Sequence, residues 1–541
     1  MNGAGQKMSG DVVVTGAPIH TFGEHPETVE AIAVADGVVA ATGQLAAVES
    51  KVGPDAIRII ADGGAILPGF CDTHMHFEKI AAELQMLQLG DATSLDDVLT
   101  LVGQAAHDAE TGDWIQSFGD DNAWDEHRLR EDRLPTRAEL DEAAPDHPVY
   151  LYRGPEAAAL NSLAAATLDQ MLSGADGWNP KLGQLHSPLA RTLQEQLPAP
   201  HDQLGTLQRA SRQLLALGIT TIVDPGLPAA FDATWELYTR AREEARVLQR
   251  VYLMDRLDHR RAFEAEIERL THARPRNISQ NGVHGWGLKL LLDGEFENAW
   301  MGEGEPQPAP PTQRYTSDQL TSALRFCAER SWPICFHVMG RSAADAVVEA
   351  VKKCGGTSVF ERNQVTLAHG FLMSDRTIDD CAALGVGVSV QPMLAYVFER
   401  EMLDAWGDLA HAANRYRLMI DRGVEVAGGS DVLPCEPLRG AAVAVNRTSR
   451  LGARLGIDQA LTPKEAIALF TKYAGGYVRR PHLGTLDVGA PADFVCWPTD
   501  PLRLPVERWA QLRPVFTAIA GNIVWQDESR PVLSTSKGVP A

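Results

Sequence analysis

The sequence lacks a long apolar run, and it lacks an excess of basic residues. No apolar stretch approaches the roughly 18 residues that a helix needs to cross a bilayer, so no membrane-spanning segment is expected. Lysine and arginine number 49 against 71 acidic residues, which gives a net charge of −22. Nucleic acids and anionic membranes are bound through basic surfaces, so the charge argues against both as partners. A small-molecule substrate remains compatible, because the field inside a pocket can differ from that of the whole chain.

Cysteine is scarce and shows no pairing pattern. There are seven cysteines, an odd number, and no two of them form a CxxC pair. This usage is typical of a reduced chain and not of a disulfide framework. The opening residues, MNGAGQKMSGD, also lack the basic and then apolar pattern of a secretion signal. We therefore expect a cytoplasmic protein.

The residues that are present indicate a large folded protein. Hydrophobic residues make up 45% and charged residues 22%, as in soluble globular proteins. A length of 541 residues exceeds one ordinary domain but would accommodate a large barrel with a satellite domain.

Short apolar runs at both ends of the chain predict β-strands. Near the N-terminus, AIAVADGVVAATG reads as two strands around a hairpin turn at Asp36-Gly37. Near the C-terminus, ADFVCW and VFTAIAGNIVW also read as strands. Neither end is long enough to form a good sheet alone. We therefore predict that residues 1–64 and 476–541 pair into one small β-sandwich domain.

Between residues 65 and 475 the pattern changes to apolar strand, polar turn and amphipathic helix. Capping boxes that begin at Thr316 and Thr462 mark two of the helix starts. Alternating strands and helices predict a parallel sheet, and eight strands predict a closed (β/α)8 TIM-like barrel in the α/β class. The predicted strands are Ala65–His74, Ile219–Pro225, Val251–Asp255, Gly287–Asp293, Pro333–Val338, Val365–Gly370, Gly385–Gln391 and Val424–Asp431.

The first and second predicted strands are separated by far more chain than the roughly thirty residues of a simple βα unit. We therefore predict an inserted subdomain at about residues 85–205, after the first barrel strand. Insertions after barrel strands build the face on which active sites lie. This one is expected to act as a lid or a specificity element.

His74 and His76 end the first predicted strand, in the run LPGFCDTHMH. Side chains two residues apart on a strand face the same side, so both imidazoles could bind one metal ion. An isolated HxH pair can equally be structural or surface-exposed. Its place at the open end of a predicted barrel favours the metal.

His337, His369 and Asp431 lie at the ends of later predicted strands. His337 ends PICFHV, His369 ends VTLAHG one βα unit later, and Asp431 follows in VEVAGGSD. Alone, each histidine could be an ordinary core residue, and the aspartate a turn residue or helix N-cap. Their joint spacing favours a ring of ligands at one rim of the barrel.

Lys289 lies among leucines in GLKLLLDG, one unit before His337. Burying an ammonium group is costly, so such a lysine normally extends its charged end toward water or pairs with a carboxylate, for which Asp293 is a candidate; the alternative is that it is neutral. A neutral lysine amine can capture CO2 as a carbamate. That group would be an anionic ligand with two oxygens, able to bridge two metal ions.

These six side chains form a candidate ligand set that resembles that of the amidohydrolase superfamily. The runs LPGFCDTHMH, GLKLLLDG, FHVMGRSAADAVVEA, VTLAHG, GVGVSVQP and GGSDVLPCEPL are similar to the YtcJ-like branch, amidohydrolase family 3. That branch includes N-substituted formamide deformylases. The run LGTLDVGAPAD is similar to the superfamily's return from the barrel to the β-domain. The resemblance covers essentially the whole chain.

The resemblance implies a metal-dependent amidohydrolase that cleaves an amide-type C–N bond of an N-acyl or N-formyl amine. Two divalent ions, expected to be zinc, would be held by the six ligands, including a CO2-derived carbamate on Lys289, and would activate a water. Asp431 would be both a ligand and the general base. Manganese, iron or cobalt would also suit this donor set. A homodimer is the expected assembly, although no sequence feature specifies it.

The sequence departs from the branch at two positions. Gly340-Arg341 stands where a Gly-Asp pair is frequent, and Pro155-Glu156 where a Gly-His pair is frequent upstream of Asn161-Ser162. Arg341 could bind a substrate carboxylate or be an exposed residue at a helix start. Glu156 could contact substrate or simply face solvent. Further candidate wall residues of the pocket are Phe77, Trp124, Gln391 and Tyr396.

Two other functions remain open at this point. One is deamination of an aminated heterocycle at a mononuclear site, whose superfamily members usually lack the bridging lysine. The other is a non-catalytic barrel with a binding role, for which loss of ligands would be the signature. All six candidate ligands are present in this sequence.

Overall fold

The computed structural model separates into two compact units, Met1–Phe77 with Ser211–Ala541 and Glu78–Ala210. It describes residues 11–24, 27–53, 55–61, 64–90, 92–117, 129–153, 157–186, 189–194, 197, 202–431, 434–530 and 533–535. The domain boundaries expected from the sequence, including the insertion at about 85–205, stay predictions.

The larger unit is built around eight parallel strands that neighbour one another in chain order. They are β1 (Phe70–Asp72), β2 (Ile219–Asp224), β3 (Arg250–Arg256), β4 (Val283–Leu291), β5 (Ile334–Val338), β6 (Val365–His369), β7 (Gly387–Val390) and β8 (Val426–Gly428). A short strand, Ser279–Gln280, pairs antiparallel with β4. The sheet nearly closes, because Thr73 N donates to Gly428 O at 3.1 Å and Met75 forms a parallel bridge with Asp431. The predicted TIM-like barrel is confirmed.

The first predicted strand is wrong in one respect, because the structure divides it into two strands. Ala65–Pro68 pairs antiparallel with Phe494–Trp497 in the β-domain, and Phe70–Asp72 pairs with β2 in the barrel. Gly69 lies at the break, where an added Cβ would stand 2.3 Å from Thr220 Oγ1. One run of chain therefore serves two sheets, and only a residue without a side chain fits where it passes from one to the other.

Helices surround the strands of this unit. The starts predicted at Thr316 and Thr462 are confirmed, since both residues form reciprocal capping boxes with the residue three positions on. The helices are Leu45–Glu49, Phe231–Glu243, Phe263–Thr271, Ser317–Glu329, Arg341–Lys353, Asp375–Leu384, Pro392–Val397, Glu399–Trp406, Tyr416–Asp421, Pro437–Asn446, Pro463–Leu469 and Lys472–Tyr477. Two more helices, Phe77–Glu83 and Gln203–Leu215, each include a boundary between the units.

Strands from both ends of the chain form two further sheets of the larger unit. One sheet contains Val12–Thr15, Ala31–Ala35, Val38–Gly43, Ile57–Ile60 and Leu533–Thr535. The other contains Ile19–His20, Thr28–Val29, Ala65–Pro68, Phe494–Trp497, Phe516–Ile519 and Asn522–Gln526. Buried residues of both sheets, such as Val14, Ile32, Ile66 and Phe494, share one core, which confirms the predicted β-sandwich.

The smaller unit has its own sheet and core. Its strands are Trp178–Asn179, Gln184–His186, Ala157–Leu160, Val149–Tyr152 and Ile115–Ser117, in that order across the sheet. Its helices are Leu95–Asp108, Arg137–Ala143, Ser162–Thr167, Asp169–Leu172 and Leu189–Gln194. Tyr150, Leu160 and Leu185 are fully buried in its core. Asn161 caps the helix that follows it, with Oδ1 accepting from Ala164 N at 3.0 Å.

The helices and cysteines of the described ranges bear on two expectations from the sequence. Across the described ranges, no helix is both long enough and apolar enough to cross a membrane. All seven cysteines lie in those ranges and are free thiols. This agrees with the reading of the cysteines as unpaired.

Closure of the barrel generates a prediction about Gly429, which follows β8. An added Cβ there would stand 2.6 Å from His74 N and 2.8 Å from His74 Cβ. Gly429→Ala should therefore lower the free energy of unfolding by about 1–3 kcal/mol, as overpacking does. Thermal unfolding would measure it, with Gly53→Ala as control, because a Cβ at Gly53 meets nothing within 4 Å. Equal stability of the two variants would show that β8 can move away from His74.

Candidate metal centre

All six residues of the predicted ligand set lie at the same rim of the barrel. His74 and His76 follow β1, and Lys289 lies in β4. His337 and His369 lie at the ends of β5 and β6, and Asp431 follows β8. The carboxyl ends of parallel barrel strands meet at one face, so residues far apart in sequence converge there.

Three of the imidazoles surround the carboxylate of Asp431. Its Oδ1 lies 3.6 Å from His74 Nε2 and 3.5 Å from His76 Nε2, and its Oδ2 lies 3.9 Å from His369 Nδ1. The ligand atoms of His74, His76 and Asp431 are all within 4.8 Å of one another. The ring of His337 continues the cluster, with its centroid 4.5 Å from that of His369.

Burial favours the neutral form of three of these imidazoles, those of His74, His337 and His369. Desolvation lowers the pKa of His337 to about 3 and that of His74 well below its usual value. Desolvation and the neighbouring His337 do the same to the pKa of His369. A neutral imidazole has a free lone pair on one ring nitrogen, which is the form that binds a metal ion.

Lys289 is fully enclosed, and burial lowers its pKa. Its Nζ lies 3.6 Å from Cys335 Sγ, on the neighbouring strand. The expected pairing with Asp293 is wrong: the Asp293 carboxylate accepts hydrogen bonds from Met339 N at 3.0 Å, Gly340 N at 2.8 Å and Trp300 N at 3.1 Å. Asp293 therefore holds the loop after β5, and Lys289 is left beside a weakly polar thiol.

The backbone at two of the site residues is strained. His369 has φ of 76° and Asp431 has φ of 66°, in the left-handed region that residues other than glycine adopt infrequently. Such conformations cost on the order of 1–3 kcal/mol each and cluster at functional sites. Asp431 is held in place by its own N–H, which donates to His74 O at 2.7 Å.

Asp72 positions the centre through hydrogen bonds to the backbone on both sides of it. This role was not assigned to Asp72 from the sequence. Its Oδ1 accepts hydrogen bonds from His74 N at 3.1 Å and from Ser430 N at 3.0 Å. Burial raises the pKa of this carboxyl group to about 6. One oxygen thus joins the residue that begins the HxH pair to the residue before Asp431. The available sequence signal was its place two residues before His74.

Of the two positions at which the sequence departs from the branch, the structure describes only the one at Arg341. Arg341 begins the helix Arg341–Lys353, and its Nη1 lies 2.6 Å from Glu305 Oε1. A carboxylate of the chain itself therefore neutralises it. Pro155 and Glu156 lie outside the described residues.

The candidate wall residues differ in their surroundings. Phe77 is buried against Tyr238, with ring centroids 5.6 Å apart, so it belongs to the core. Gln391 is buried beside His369 and donates to Ser389 O at 3.1 Å. Tyr396 is half-buried under the guanidinium group of Arg439. Trp124 lies outside the described residues.

Comparison with known proteins assigns this chain to a family. The chain belongs to the amidohydrolase family, whose sequence model matches residues 59–525, and it is therefore a hydrolase. Within the family it is YtcJ-like. It is 25% identical to the putative amidohydrolase YtcJ of Bacillus subtilis (strain 168), over 94% of this chain and 98% of that protein. It is 24% identical to an N-substituted formamide deformylase of Arthrobacter pascens, over 95% of this chain and 98% of that protein.

Solved structures share the fold. A metal-dependent hydrolase of Pyrococcus horikoshii OT3 superposes with a TM-score of 0.73 at 20% identity, covering 92% of this chain and 99% of that one. The atrazine chlorohydrolase TrzN from Arthrobacter aurescens TC1, in complex with zinc, superposes with a TM-score of 0.54 at 14% identity, covering 96% of both chains. At these identities the likeness concerns the fold alone.

The role of Asp72 can be tested by separating its acceptor oxygen from its charge. Asp72→Ala leaves two buried N–H groups unsatisfied, which should cost about 1–3 kcal/mol for each group and release bound metal. Asp72→Asn keeps a carbonyl oxygen and should retain most of the stability and metal. Thermal unfolding and metal analysis would measure both. Equal losses in the two variants would show that the charge, and not the acceptor, is what the site requires.

Proposed function

We propose that this chain is a metal-dependent hydrolase that cleaves an amide-type C–N bond of an N-acyl or N-formyl amine. The observation that carries the proposal is the convergence of neutral imidazoles, a buried lysine and a carboxylate at the barrel rim. The proposed ligands of two divalent ions are His74, His76, Lys289, His337, His369 and Asp431.

The donors present fit such ions. His369 Nδ1, which lies 3.9 Å from Asp431 Oδ2, is buried and makes no hydrogen bond in the described part of the chain. A buried polar atom without a partner is costly, and a bound cation would remove that cost. Neutral imidazole nitrogens and carboxylate oxygens suit zinc, which we propose as the metal. When bound, divalent ions lower the pKa of water and polarise a carbonyl group.

The side chains of the site supply the remaining chemistry. Asp431 is the proposed general base: one carboxylate oxygen takes a proton from the attacking water and returns it to the leaving nitrogen. Lys289 is the proposed site of carboxylation, because burial favours its neutral amine and a neutral amine adds to CO2. Its nitrogen forms a bond to the CO2 carbon and releases one proton, which leaves an anionic carbamate.

The relatives support the proposed class of bond. The family's name and the deformylase from Arthrobacter pascens support C–N bond cleavage and an N-formyl amine as the first substrate class to examine. A cytoplasmic location, supported by seven free thiols, and a homodimer belong to the same proposal.

Metal content distinguishes the binuclear site from a mononuclear one. Protein purified without chelator or added metal should contain about two equivalents of divalent metal per chain, as expected for a binuclear hydrolase site. Chelation should remove the metal and the activity on N-formyl amines together. About one equivalent would contradict the binuclear site and favour deamination of an aminated heterocycle. Activity that survives complete metal removal would contradict the proposal as a whole.

Lys289→Ala tests the carbamate. The variant should lose one or both metal ions and at least about a hundredfold in turnover, because a bridging ligand is removed. Bicarbonate with a short-chain acid should partly restore both. In the unmodified protein, bicarbonate labelled with carbon-13 should give a carbamate carbon resonance that the variant lacks. Lys353→Ala is the control, since Lys353 is exposed and donates to Ser317 Oγ at 2.9 Å. Full activity of Lys289→Ala would rule out a bridging lysine.

A further inference from the structure

Arg256 is the last residue of β3, and it faces the metal centre. It pairs directly with Lys289 of β4, and Lys289 in turn pairs with Cys335 of β5. Residues paired across parallel strands point to the same side of the sheet. Met254, two residues earlier, lies in the core inside the barrel. The side chain of Arg256 therefore leaves β3 toward the same interior rim as Lys289.

Arg256 has no hydrogen-bonding partner for its side chain in the described part of the chain. Its Nε is buried and makes no hydrogen bond. Glu295 and Asp431 are the acidic groups whose charges act on it, and neither forms an ion pair with it. Arginine cannot lose its charge, so a buried guanidinium nitrogen without a hydrogen bond is costly unless another group binds it.

A second guanidinium lies on the same side. Arg314 follows β4, and its backbone N donates to Leu292 O at 3.0 Å, directly beyond the end of that strand. Its Nη1 is also buried without a hydrogen bond. Arg314 thus begins at the rim where β4 ends, and its charge, like that of Arg256, acts on His337. Two cations with buried, unpartnered nitrogens therefore lie near the same rim.

We propose that the substrate carries a carboxylate, which Arg256 and Arg314 bind while the amide group lies at the metal centre. The substrate class is then the N-formyl or N-acyl derivatives of amino acids or of similar amines that bear a carboxylate; this rests on the function proposed above. A guanidinium matches the two oxygens of a carboxylate with two parallel N–H donors. Arg341, the candidate for this role from sequence, is already paired with Glu305.

Hydrolysis of matched substrates tests the proposal. The metal-loaded protein is given an N-formyl amino acid and the carboxamide of the same compound, and formate release is followed. The carboxylate should be preferred in kcat/KM by about tenfold to a hundredfold, the size of one or two charge-assisted hydrogen bonds. In Arg256→Gln and Arg314→Gln the ratio of the two kcat/KM values should fall toward one, because KM for the carboxylate substrate should rise.

Two further variants keep the test specific. Arg256→Lys retains the positive charge but loses the two parallel N–H donors of the guanidinium group. It should therefore keep only part of the preference for the carboxylate substrate. Arg260→Gln is the matched control, since Arg260 is 69% exposed and pairs with Asp258 at 2.8 Å. Arg260→Gln should keep the preference of the unmodified protein.

Binding separates failure of this inference from failure of the proposed function. An N-acetyl amino acid should raise the Tm of the metal-loaded protein more than its carboxamide does, and Arg256→Gln should abolish the difference. Cleavage of both compounds at equal rates, with equal Tm shifts, would overturn the carboxylate site and leave the amidase function intact. A selective Tm shift without cleavage of any amide would overturn the proposed function and support the carboxylate site.

Discussion

The centre depends on one buried carboxylate that joins the first and last strands of the barrel. Asp72 accepts a hydrogen bond from His74 N after β1 and another from Ser430 N after β8. A barrel of eight strands has one seam at which the sheet must close on itself, and here the closure is sparse, because β1 and β8 form only isolated links. The HxH pair and Asp431 lie on opposite sides of that seam. Their spacing is therefore set by the same interaction that closes the fold.

Enclosure of the site decides its protonation states before any ligand is considered. An imidazolium or ammonium ion inside the barrel would lose its hydration, so burial favours neutral histidines and a neutral lysine. Among the described residues, the same burial leaves two imidazole nitrogens without hydrogen bonds. A protein that kept this arrangement for stability alone would be expected to satisfy those nitrogens or replace them with apolar groups. The folding cost of the cluster is explained if a cation completes it.

Much of the fold could be predicted from sequence, and so could the position of the six candidate ligands at one rim of the barrel. Both predictions rest on strand ends and βα spacing, which are local patterns. Ala65–His74 could not be divided correctly, because the division depends on distant partners: Ala65–Pro68 pairs with Phe494–Trp497, and Phe70–Asp72 pairs with β2. The roles of Asp293 and Asp72 were hidden for the same reason: their partners are backbone amides on other strands. Arg256 also escaped notice, since only the register of β3 against β4 shows that it faces inward.

Two cationic side chains at the rim contrast with the negative charge of the whole chain. A net charge of −22 suggests a protein that repels anions, yet the groups of Arg256 and Arg314 that lack partners are cationic and lie beside the centre. Exposed acidic side chains are screened by water and salt over roughly 10 Å, whereas partly buried charges are screened much less. The nearby cations therefore affect a molecule at the rim more than the distant surface carboxylates do. A substrate carboxylate would neutralise them and would also be oriented by them, which leaves the neutral end of the molecule for the centre.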